Sequence, residues 1–273
     1  MESTEIKLNS VQQQRLSRFN AEGSVDIHCH CLPGVDDGPP TMEDALMMCK
    51  ALVNDGFTAV IATPHQLGRY DGRNDAKSIR NEVTALREVL TRENVALRVE
   101  AGADVRVDER LIRLLDSDEV LTLGDRHQAI LLELPHDAFL DLAPLLRQLA
   151  ERGITAVLSH PERHQYLSKR PELALPWIQH GIVFQVTAGS FLGDFGRDVE
   201  LAVWDWLRKG LVSLVATDSH DLKRRRPRMS AAIELIARQM THVVARRICI
   251  ENPLRILRGE RLPPPAAATI KGR

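Results

Sequence analysis

The sequence predicts a single α/β barrel, and three observations support this fold class. The chain has 273 residues, which is long for an ordinary domain but normal for one barrel of this kind. From Ser24 onward, short β-branched or apolar runs alternate with segments of helix length, as in a parallel sheet built from βαβ units. Ionisable residues follow nearly every run, and they can converge on one centre only if the strand ends form a ring.

Seven strands are predicted from these runs, and most of them end at a proline, a glycine or a polar turn. The segments between them have apolar residues at helical spacing. Thr41 begins the first of these helices, which stops at Gly56. After the sixth strand, the glycines at 189, 193 and 196 predict a loop. The predicted strands are Val25–His30, Thr58–Thr63, Val95–Gly102, Ala129–Leu134, Ile154–His160, Ile182–Thr187 and Leu211–Thr217.

The domain organisation follows from the same pattern. Residues 1–23 are polar with loosely helical spacing, and we expect an N-terminal arm that is a candidate contact for a homo-oligomer. We expect residues 24–259 to form the barrel itself and residues 260–273 to form a flexible, proline-rich tail. An open doubly wound sheet fits the same alternation of strands and helices. The ionisable residues at the strand ends favour a closed barrel.

The composition excludes several classes of protein. Hydrophobic residues make up 44% and charged residues 27% of the chain, and no apolar run is long enough to cross a bilayer. The formal net charge of -1 gives no reason to expect nucleic acid or an anionic membrane as a partner. The N-terminus lacks the pattern of a signal peptide. The four cysteines show neither disulfide density nor paired zinc spacing, so we expect a cytoplasmic protein.

A set of histidines and carboxylates at the strand ends forms a candidate metal centre. Strand alternation places His28 and His30 on one face, and Cys29 and Cys31 on the other. Five imidazoles and four carboxylates exceed what one tetrahedral zinc needs, which predicts two or three divalent ions, with manganese, iron and zinc all compatible. The set consists of His28, His30, Asp36 or Asp37, His65, Asp104, Glu133, His160, Asp218 and His220.

The same residues also fit a structural interpretation without metal. The histidines and Asp218 could be hydrogen-bonded pairs, and Glu133 could be paired with a buried arginine. Glu133 lies in an apolar run, so its carboxylate needs a cation in either case. No metal role is assigned to the five other histidines, which are His127, His136, His164, His180 and His242.

Two or more adjacent metal ions suit the hydrolysis of a phosphate ester, because they generate hydroxide near neutral pH and hold the attacking and leaving oxygens. The negative charge of such a substrate also needs donors. Arg163, and Arg225 or Arg226, follow candidate ligands closely and could hold phosphate oxygens. The basic run 223–228 could equally be a solvated loop.

Six motifs in order resemble the metal-dependent protein-tyrosine phosphatases of bacterial capsule and exopolysaccharide loci, which belong to the polymerase-and-histidinol-phosphatase (PHP) superfamily. The resemblance covers residues from Ser24 to Gly259. The motifs are Asp-Ile-His-Cys-His-Cys-Leu-Pro-Gly-Val-Asp-Asp-Gly from Asp26, Ala-Thr-Pro-His from Ala62, Leu-Glu-Leu-Pro from Leu132, Ser-His-Pro-Glu-Arg from Ser159, Val-Thr-Ala-Gly-Ser from Val186 and Thr-Asp-Ser-His from Thr217.

The resemblance implies a distorted seven-stranded, TIM-like (β/α)7 barrel with a trinuclear and often manganese-dependent centre. It also implies that Asp37 belongs to the ligand set, and that Arg163 and Arg225 contact phosphate. Asp104 departs from the family pattern, because the family has a bridging Glu there, and a shorter carboxylate would alter metal spacing. By motif position the implied ligands are His28, His30, Asp37, His65, Asp104, Glu133, His160, Asp218 and His220.

The predicted activity is removal of phosphate from phosphotyrosine in a bacterial protein, by attack of a metal-bound hydroxide. A bacterial tyrosine kinase is one candidate substrate. His220 or a metal-bound water would supply the proton. Phe191 and Phe195 could flank the substrate ring, although packing is the expected role of at least one of them. Two alternatives are another PHP phosphoesterase, such as a histidinol-phosphate phosphatase or a nuclease, and a metal-stabilised scaffold without catalysis.

A Cys-x5-Arg match from Cys249 to Arg255 suggests the thiolate chemistry of other tyrosine phosphatases. That chemistry needs a glycine-rich loop of backbone N–H groups around the phosphate. The stretch contains Glu251 and Pro253 instead, so we expect the match to be without function.

Overall fold

The computed structural model describes residues 23–265. The expected N-terminal arm up to residue 22 and the end of the expected tail, from residue 266, lie outside the described residues. The boundaries at 23/24 and 259/260 therefore stay predictions.

Within residues 23–265, nine parallel strands make up two sheets. The first sheet has the order β1-β2-β4 and the second the order β3-β5-β6-β7-β8-β9. The strands are β1 (Ser24–Cys29), β2 (Phe57–Ala62), β3 (His65–Gln66), β4 (Arg98–Ala101), β5 (Asp104–Arg106), β6 (Ala129–Glu133), β7 (Thr155–Ser159), β8 (Val183–Thr187) and β9 (Val212–Ala216).

The prediction of a parallel α/β fold is confirmed, but the strands are less regular than the expected closed ring of seven. Two short strands, β3 and β5, follow breaks at Pro64 and at Gly102. Pro64 has no N–H to donate to a ladder. A Cβ on Gly102 would lie 2.6 Å from Cγ2 of Ile61, so the backbone approaches β2 closely there. The chain thus leaves the first sheet and enters the second at both breaks.

The first and last strands meet without forming a continuous ladder. One isolated bridge joins Cys29 to Ser219. The N–H of His30 donates to the carbonyl oxygen of Ser219 at 2.9 Å, and the N–H of Asp218 donates to that of His28 at 2.8 Å. These bonds bring the ends of β1 and β9 together, but no closed sheet forms within residues 23–265.

Helices cover the outer side of the strands. Thr41 caps the first helix as predicted, because its hydroxyl oxygen accepts the N–H of Asp44 at 3.2 Å. Part of the loop predicted at glycines 189, 193 and 196 forms a short helix, Ala188–Phe191, and a longer helix, Arg197–Arg208, follows directly after Gly196. The helices are α1 (Met42–Asn54), α2 (Ala76–Arg92), α3 (Leu111–Asp116), α4 (Ala143–Glu151), α5 (Leu175–Ile178), α6 (Ala188–Phe191), α7 (Arg197–Arg208), α8 (Met229–Gln239), α9 (His242–Arg246) and, after a π-helical turn at Arg247–Glu251, α10 (Asn252–Arg258).

The apolar residues form two clusters. The larger one lies between strands and helices and contains Cys29, Cys31 and Cys49, so the cysteines of β1 face away from its histidines as predicted. The smaller cluster lies on the inner face of the strands, where Leu254 and Leu257 of α10 cover it. No helix in the described part of the chain has the length and apolar character needed to span a membrane.

Candidate metal centre

The alternation of side chains along the strands places ionisable residues on the inner face at the carboxyl ends of the strands. On β6, the inner-cluster residues Ala129 and Leu131 are followed two positions later by Glu133. On β9, Leu214 and Ala216 lead in the same way to Asp218. The period of two therefore keeps each carboxylate on the face that is apolar further down the strand.

The nine predicted ligand residues all meet at this end of the strands. They form four overlapping groups in which the potential ligand atoms lie within 4.8 Å of one another. Because His28, His30, His65 and Asp104 each belong to two groups, the four groups form one continuous centre. The groups are His30–Asp37–His65–His220, His28–His30–Asp104, His28–His160–Asp218 and His65–Asp104–Glu133.

The two neighbouring aspartates that the sequence left as alternatives have different positions. Asp36 lies behind the histidines: its Oδ2 accepts from Nδ1 of His30 at 2.6 Å and from the N–H of His65 at 3.1 Å. Asp37 joins the metal group with its Oδ1 at 3.5 Å from Nε2 of both His65 and His220. Asp37 is therefore the candidate ligand, and Asp36 orients His30.

Two further histidines are oriented from behind. Nδ1 of His28 donates to Oε1 of Gln185 at 2.8 Å, and Nδ1 of His220 donates to the carbonyl oxygen of Asp218 at 3.0 Å. In each ring Nε2 then carries the lone pair and faces the centre, as in metal sites with an oriented imidazole. Gln185 was missed from the sequence, although a single amide within the apolar run Ile-Val-Phe-Gln-Val is a usable signal.

Three imidazoles of the centre, those of His28, His30 and His160, are held in the neutral form. Burial lowers the pKa of His28 to about 4. Burial, together with neighbouring positive groups, also holds the pKa of His30 and of His160 well below the usual value. Neutral imidazole is the form that binds metal, so these side chains need no deprotonation near pH 7.

Several buried polar atoms of the centre lack a hydrogen bond. They are both carboxylate oxygens of Asp104, Oδ1 of Asp218 and Nε2 of His220. Burial, and then the negative charges of Glu133 and Asp218, raise the pKa of Asp104 well above its ordinary value. Unsatisfied carboxylates packed against one another call for a cation. The donor set of imidazoles and carboxylates thus fits divalent ions such as manganese, iron or zinc.

Two arginines converge beside the centre. Arg163 and Arg225 both donate from Nη2 to Oδ2 of Asp218, the latter at 2.5 Å. Burial alone would raise the pKa of Asp218, yet the two guanidinium groups and nearby imidazoles hold it well below the usual range. Arg225 lines the pocket over the centre, whereas Arg226 is exposed and does not line it. Of the two arginines that the sequence left as alternatives, Arg225 is thus the one that lies at the pocket.

The pocket over the centre has a volume of about 300 Å³. It is lined in part by residues that sequence reasoning missed. Tyr70 stacks on His65 with ring centroids 5.5 Å apart, and Nη2 of Arg106 lies 2.9 Å from Oε2 of Glu133. His136 also lines the pocket, without joining any metal group of the described residues. No sequence motif identified these residues: Tyr70 lies in the connecting segment after β3, and Arg106 is the last residue of the three-residue strand β5.

The two phenylalanines expected near the substrate lie in different surroundings. Phe191 is buried and packs edge-on against Trp204 at 4.9 Å, which is the packing role expected for at least one of the two phenylalanines. The ring of Phe195 lies 4.5 Å from Cζ of Arg163. The ring of Phe195 therefore packs against the guanidinium group of Arg163.

Two other features lie apart from the centre. Cys249 is fully buried in the larger apolar cluster, and burial raises the pKa of its thiol far above the ordinary value, which excludes a reactive thiolate. His127 belongs to a separate group with Asp118 and Asp125. Arg80 already binds both of those aspartates, at 2.9 Å and 2.7 Å.

Comparison with known protein families shows to which family this chain belongs. The family model for capsular polysaccharide synthesis, CpsB/CapC, matches residues 24–258. The chain belongs to the CpsB/CapC family. The tyrosine-protein phosphatase YwqE of Bacillus subtilis is 31% identical over 217 residues, which are 79% of this chain and 84% of that protein.

Solved structures agree with membership of the CpsB/CapC family. A structure described among those of YwqE from Bacillus subtilis and CpsB from Streptococcus pneumoniae, "unique metal-dependent tyrosine phosphatases", has a TM-score of 0.84. It is 29% identical in sequence and covers 88% of this chain and 98% of its own. An organophosphorus hydrolase variant from Deinococcus radiodurans has a TM-score of 0.53 at 16% identity, over 88% of this chain and 93% of its own. The latter likeness concerns the fold alone.

Proposed function

We propose that this CpsB/CapC family member is a metal-dependent phosphatase that removes phosphate from phosphotyrosine in a bacterial protein of polysaccharide synthesis or export. The observation that carries the proposal is the buried centre itself, where nine potential ligands surround unsatisfied carboxylate oxygens next to two arginines. The names of the relatives support the same reaction and the same dependence on metal.

The nine residues proposed as ligands would hold two or three divalent ions, with manganese as the first candidate and iron or zinc as alternatives. Such ions, when bound, lower the pKa of coordinated water and neutralise charge on phosphate oxygens. Residues 36 and 185 keep the imidazoles of His30 and His28 in the orientation that binding needs. The proposed ligands are His28, His30, Asp37, His65, Asp104, Glu133, His160, Asp218 and His220.

Arg163 and Arg225 have the proposed task of holding the phosphate. Their guanidinium groups meet at one oxygen of Asp218, so their free N–H groups lie side by side at the edge of the centre and can receive two phosphate oxygens. Tyrosinate is a fair leaving group because the pKa of the phenol is about 10, so little general acid is required. His220 fits the role of ligand better than that of proton donor, because its Nδ1–H is bound to a carbonyl oxygen.

The remaining proposals concern the protein as a whole. We propose that residues 24–259 form the catalytic unit and that its strands act as one distorted seven-unit barrel of the PHP type, joined where β1 meets β9. The four cysteines are free thiols, which supports the cytoplasm as the compartment. A bacterial tyrosine kinase remains a candidate substrate, and self-association through the N-terminal arm a candidate assembly.

The test is elemental analysis of the purified protein together with turnover of three substrates. We expect two or three divalent ions per chain and the highest kcat/KM for a phosphotyrosyl peptide. A preference for histidinol phosphate or single-stranded DNA would contradict the proposed substrate and favour another PHP phosphoesterase.

A second candidate function is a metal-stabilised scaffold without catalysis, which is favoured by Asp104 at the position where related phosphatases are expected to have Glu. If the metal-loaded protein hydrolysed no phosphate ester, and Asp104→Glu did not restore turnover, the scaffold would be the better description. Hydrolysis by the unaltered chain would exclude it.

A further inference from the structure

The segment after His220 is a compact turn that closes on itself. Oδ1 of Asp221 accepts the backbone N–H groups of Lys223 at 2.5 Å, Arg224 at 2.7 Å and Arg225 at 3.3 Å. The carbonyl oxygen of Arg225 in turn accepts the N–H of His220 at 2.9 Å. These bonds fix the backbone of the turn relative to the metal centre, so its side chains project from a preorganised base.

The five cations of this segment fall into two sets. Arg225 contacts Asp218 in the pocket, and Nη1 of Arg228 binds Oδ1 of Asp194 at 2.5 Å. Lys223, Arg224 and Arg226 are exposed, and none of them has an ion pair with a carboxylate between residues 23 and 265. We call these three residues the basic loop.

Two other arginines that line the pocket, Arg69 and Arg106, form ion pairs with carboxylates. Arg69 lies 3.0 Å from Asp37, and Arg106 lies 2.9 Å from Glu133. Beside the pocket, on the side of Arg225, the basic loop therefore adds positive charge that pairs with no carboxylate of the described residues. Because the whole chain has a net charge of -1, this is a local concentration of charge and not a general property of the surface.

We propose that the basic loop docks acidic residues that flank the phosphotyrosine of a substrate polypeptide. The inference rests on the proposed function, because it takes the phosphate to be bound at Arg163 and Arg225. With the phosphate there, the loop lies beside the chain segments that leave the pocket on either side of the phosphotyrosine. Three cations on one turn match a few carboxylates, whereas nucleic acids are bound by broader basic faces.

The first experiment compares two phosphotyrosyl peptides of equal length, one flanked by Glu on both sides and one by Gln. We expect a kcat/KM about five- to tenfold higher for the Glu peptide at low salt, mainly through KM, since complementary charge acts on encounter and binding. At about 0.5 M salt the ratio should fall below about twofold through screening. A ratio near one at low salt would overturn the proposal.

The second experiment uses the variant Lys223→Gln/Arg224→Gln. We expect it to reduce the preference for the Glu peptide to about twofold while leaving the hydrolysis of p-nitrophenyl phosphate unchanged. The matched control is Arg258→Gln/Arg261→Gln, which removes the same charge from exposed residues at or after the end of α10, at the opposite end of the strands. The control should keep the preference, and an equal loss in both variants would overturn the proposal.

A binding measurement separates this inference from the proposed function. Fluorescent peptides with a non-hydrolysable phosphonate in place of the phosphate are titrated with the unaltered protein and followed by anisotropy. If no phosphate ester is hydrolysed but the Glu peptide binds several-fold more tightly, the proposed function fails and the docking surface stands. If both peptides are hydrolysed and bound equally, docking fails and the function stands. Loss of binding to phosphatidylglycerol vesicles in the variant, with the peptide preference intact, would assign the basic loop to a membrane and overturn the proposal.

Discussion

The inner face of the strands buries apolar side chains at its amino end and ionisable side chains at its carboxyl end. At the amino end, Ala129 and Val183 pack with Leu254 and Leu257 of α10 in a cluster of apolar side chains. At the carboxyl end, fully buried His28 and Asp104 belong to a set of imidazoles and carboxylates. Burial of the first kind stabilises the fold by about 25 cal/mol per Å², whereas burial of unsatisfied polar groups opposes folding.

This contrast separates stability from function along single strands. On β6, Leu131 belongs to the apolar cluster and Glu133, two residues later, belongs to the set of candidate ligands. The same strand therefore contributes to both regions. Substitutions at the amino end should therefore lower the free energy of unfolding and leave turnover nearly unchanged. Substitutions at the carboxyl end should lower turnover and leave the free energy of unfolding nearly unchanged. Four predictions test this contrast, from the largest expected effect to the smallest.

The largest effect is expected from removal of metal or of one central ligand. Nδ1 of His65 lies 3.5 Å from Asp104 of one group and its Nε2 lies 3.5 Å from Asp37 of another, so His65→Ala should weaken two groups at once. We expect chelation or His65→Ala to lower kcat by about a thousandfold or more, because metal ions would supply most of the charge stabilisation. Steady-state kinetics and elemental analysis measure this, with circular dichroism as the control for folding. Full turnover in thoroughly chelated protein would contradict it.

The next effect concerns the apolar end. Leu257→Ala removes a buried side chain from the inner cluster, and we expect the free energy of unfolding to fall by about 2–5 kcal/mol. Turnover per folded molecule should remain unchanged. Denaturant unfolding and activity at low temperature give the two quantities, and the exposed neighbour in Arg258→Ala serves as the control. If Leu257→Ala lowered kcat per folded molecule as well as the free energy of unfolding, the apolar end would contribute to activity, and the contrast between the two ends would fail.

A smaller effect is expected at the edge of the carboxyl end. Phe195→Leu removes the ring beneath the guanidinium of Arg163 but keeps an apolar side chain. Since such a contact contributes about 0.5–1 kcal/mol at an exposed site, we expect KM to rise about two- to fivefold, with kcat nearly unchanged. Phe195→Tyr should retain the KM of the unaltered protein. If Phe195→Tyr raised KM as much as Phe195→Leu, the ring would not position Arg163.

The smallest effect should come from Cys249→Ser. The thiol is buried, and burial raises its pKa far above the ordinary value, so hardly any thiolate forms near pH 7. Turnover per folded molecule should stay within about twofold, because the reaction does not pass through this sulfur. Strong inhibition by this substitution, with folding intact, would favour thiolate chemistry over the metal centre.

The sequence predicted the seven longer strands well because their apolar runs are buried and end at strong turn signals. Alternation also predicted that His28 and His30 share a face. It could not predict β3 and β5, because each has only two or three residues and is defined by its neighbours in the sheet. The helix α7 was missed because glycines that only precede it suggested a longer loop.

The candidate site was predictable to the extent that it depends on strand ends. All nine implied ligand residues meet, although their roles stay predictions. The choices between Asp36 and Asp37, and between Arg225 and Arg226, involve neighbours of the same type, so only the path of the backbone distinguishes them. Tyr70 reaches the pocket from a connecting segment whose course no local pattern specifies, and Arg106 reaches it from the end of β5, which is too short to predict from the sequence.

The bridge between Cys29 and Ser219 has a consequence for biogenesis. It joins positions 190 residues apart in the chain, and contacts of such separation form late in folding. A nascent chain on the ribosome contains His28 and His30 well before it contains Asp218 and His220. The complete set of candidate donors therefore exists only after Asp218 and His220 have been synthesised, and the centre can assemble only from then on.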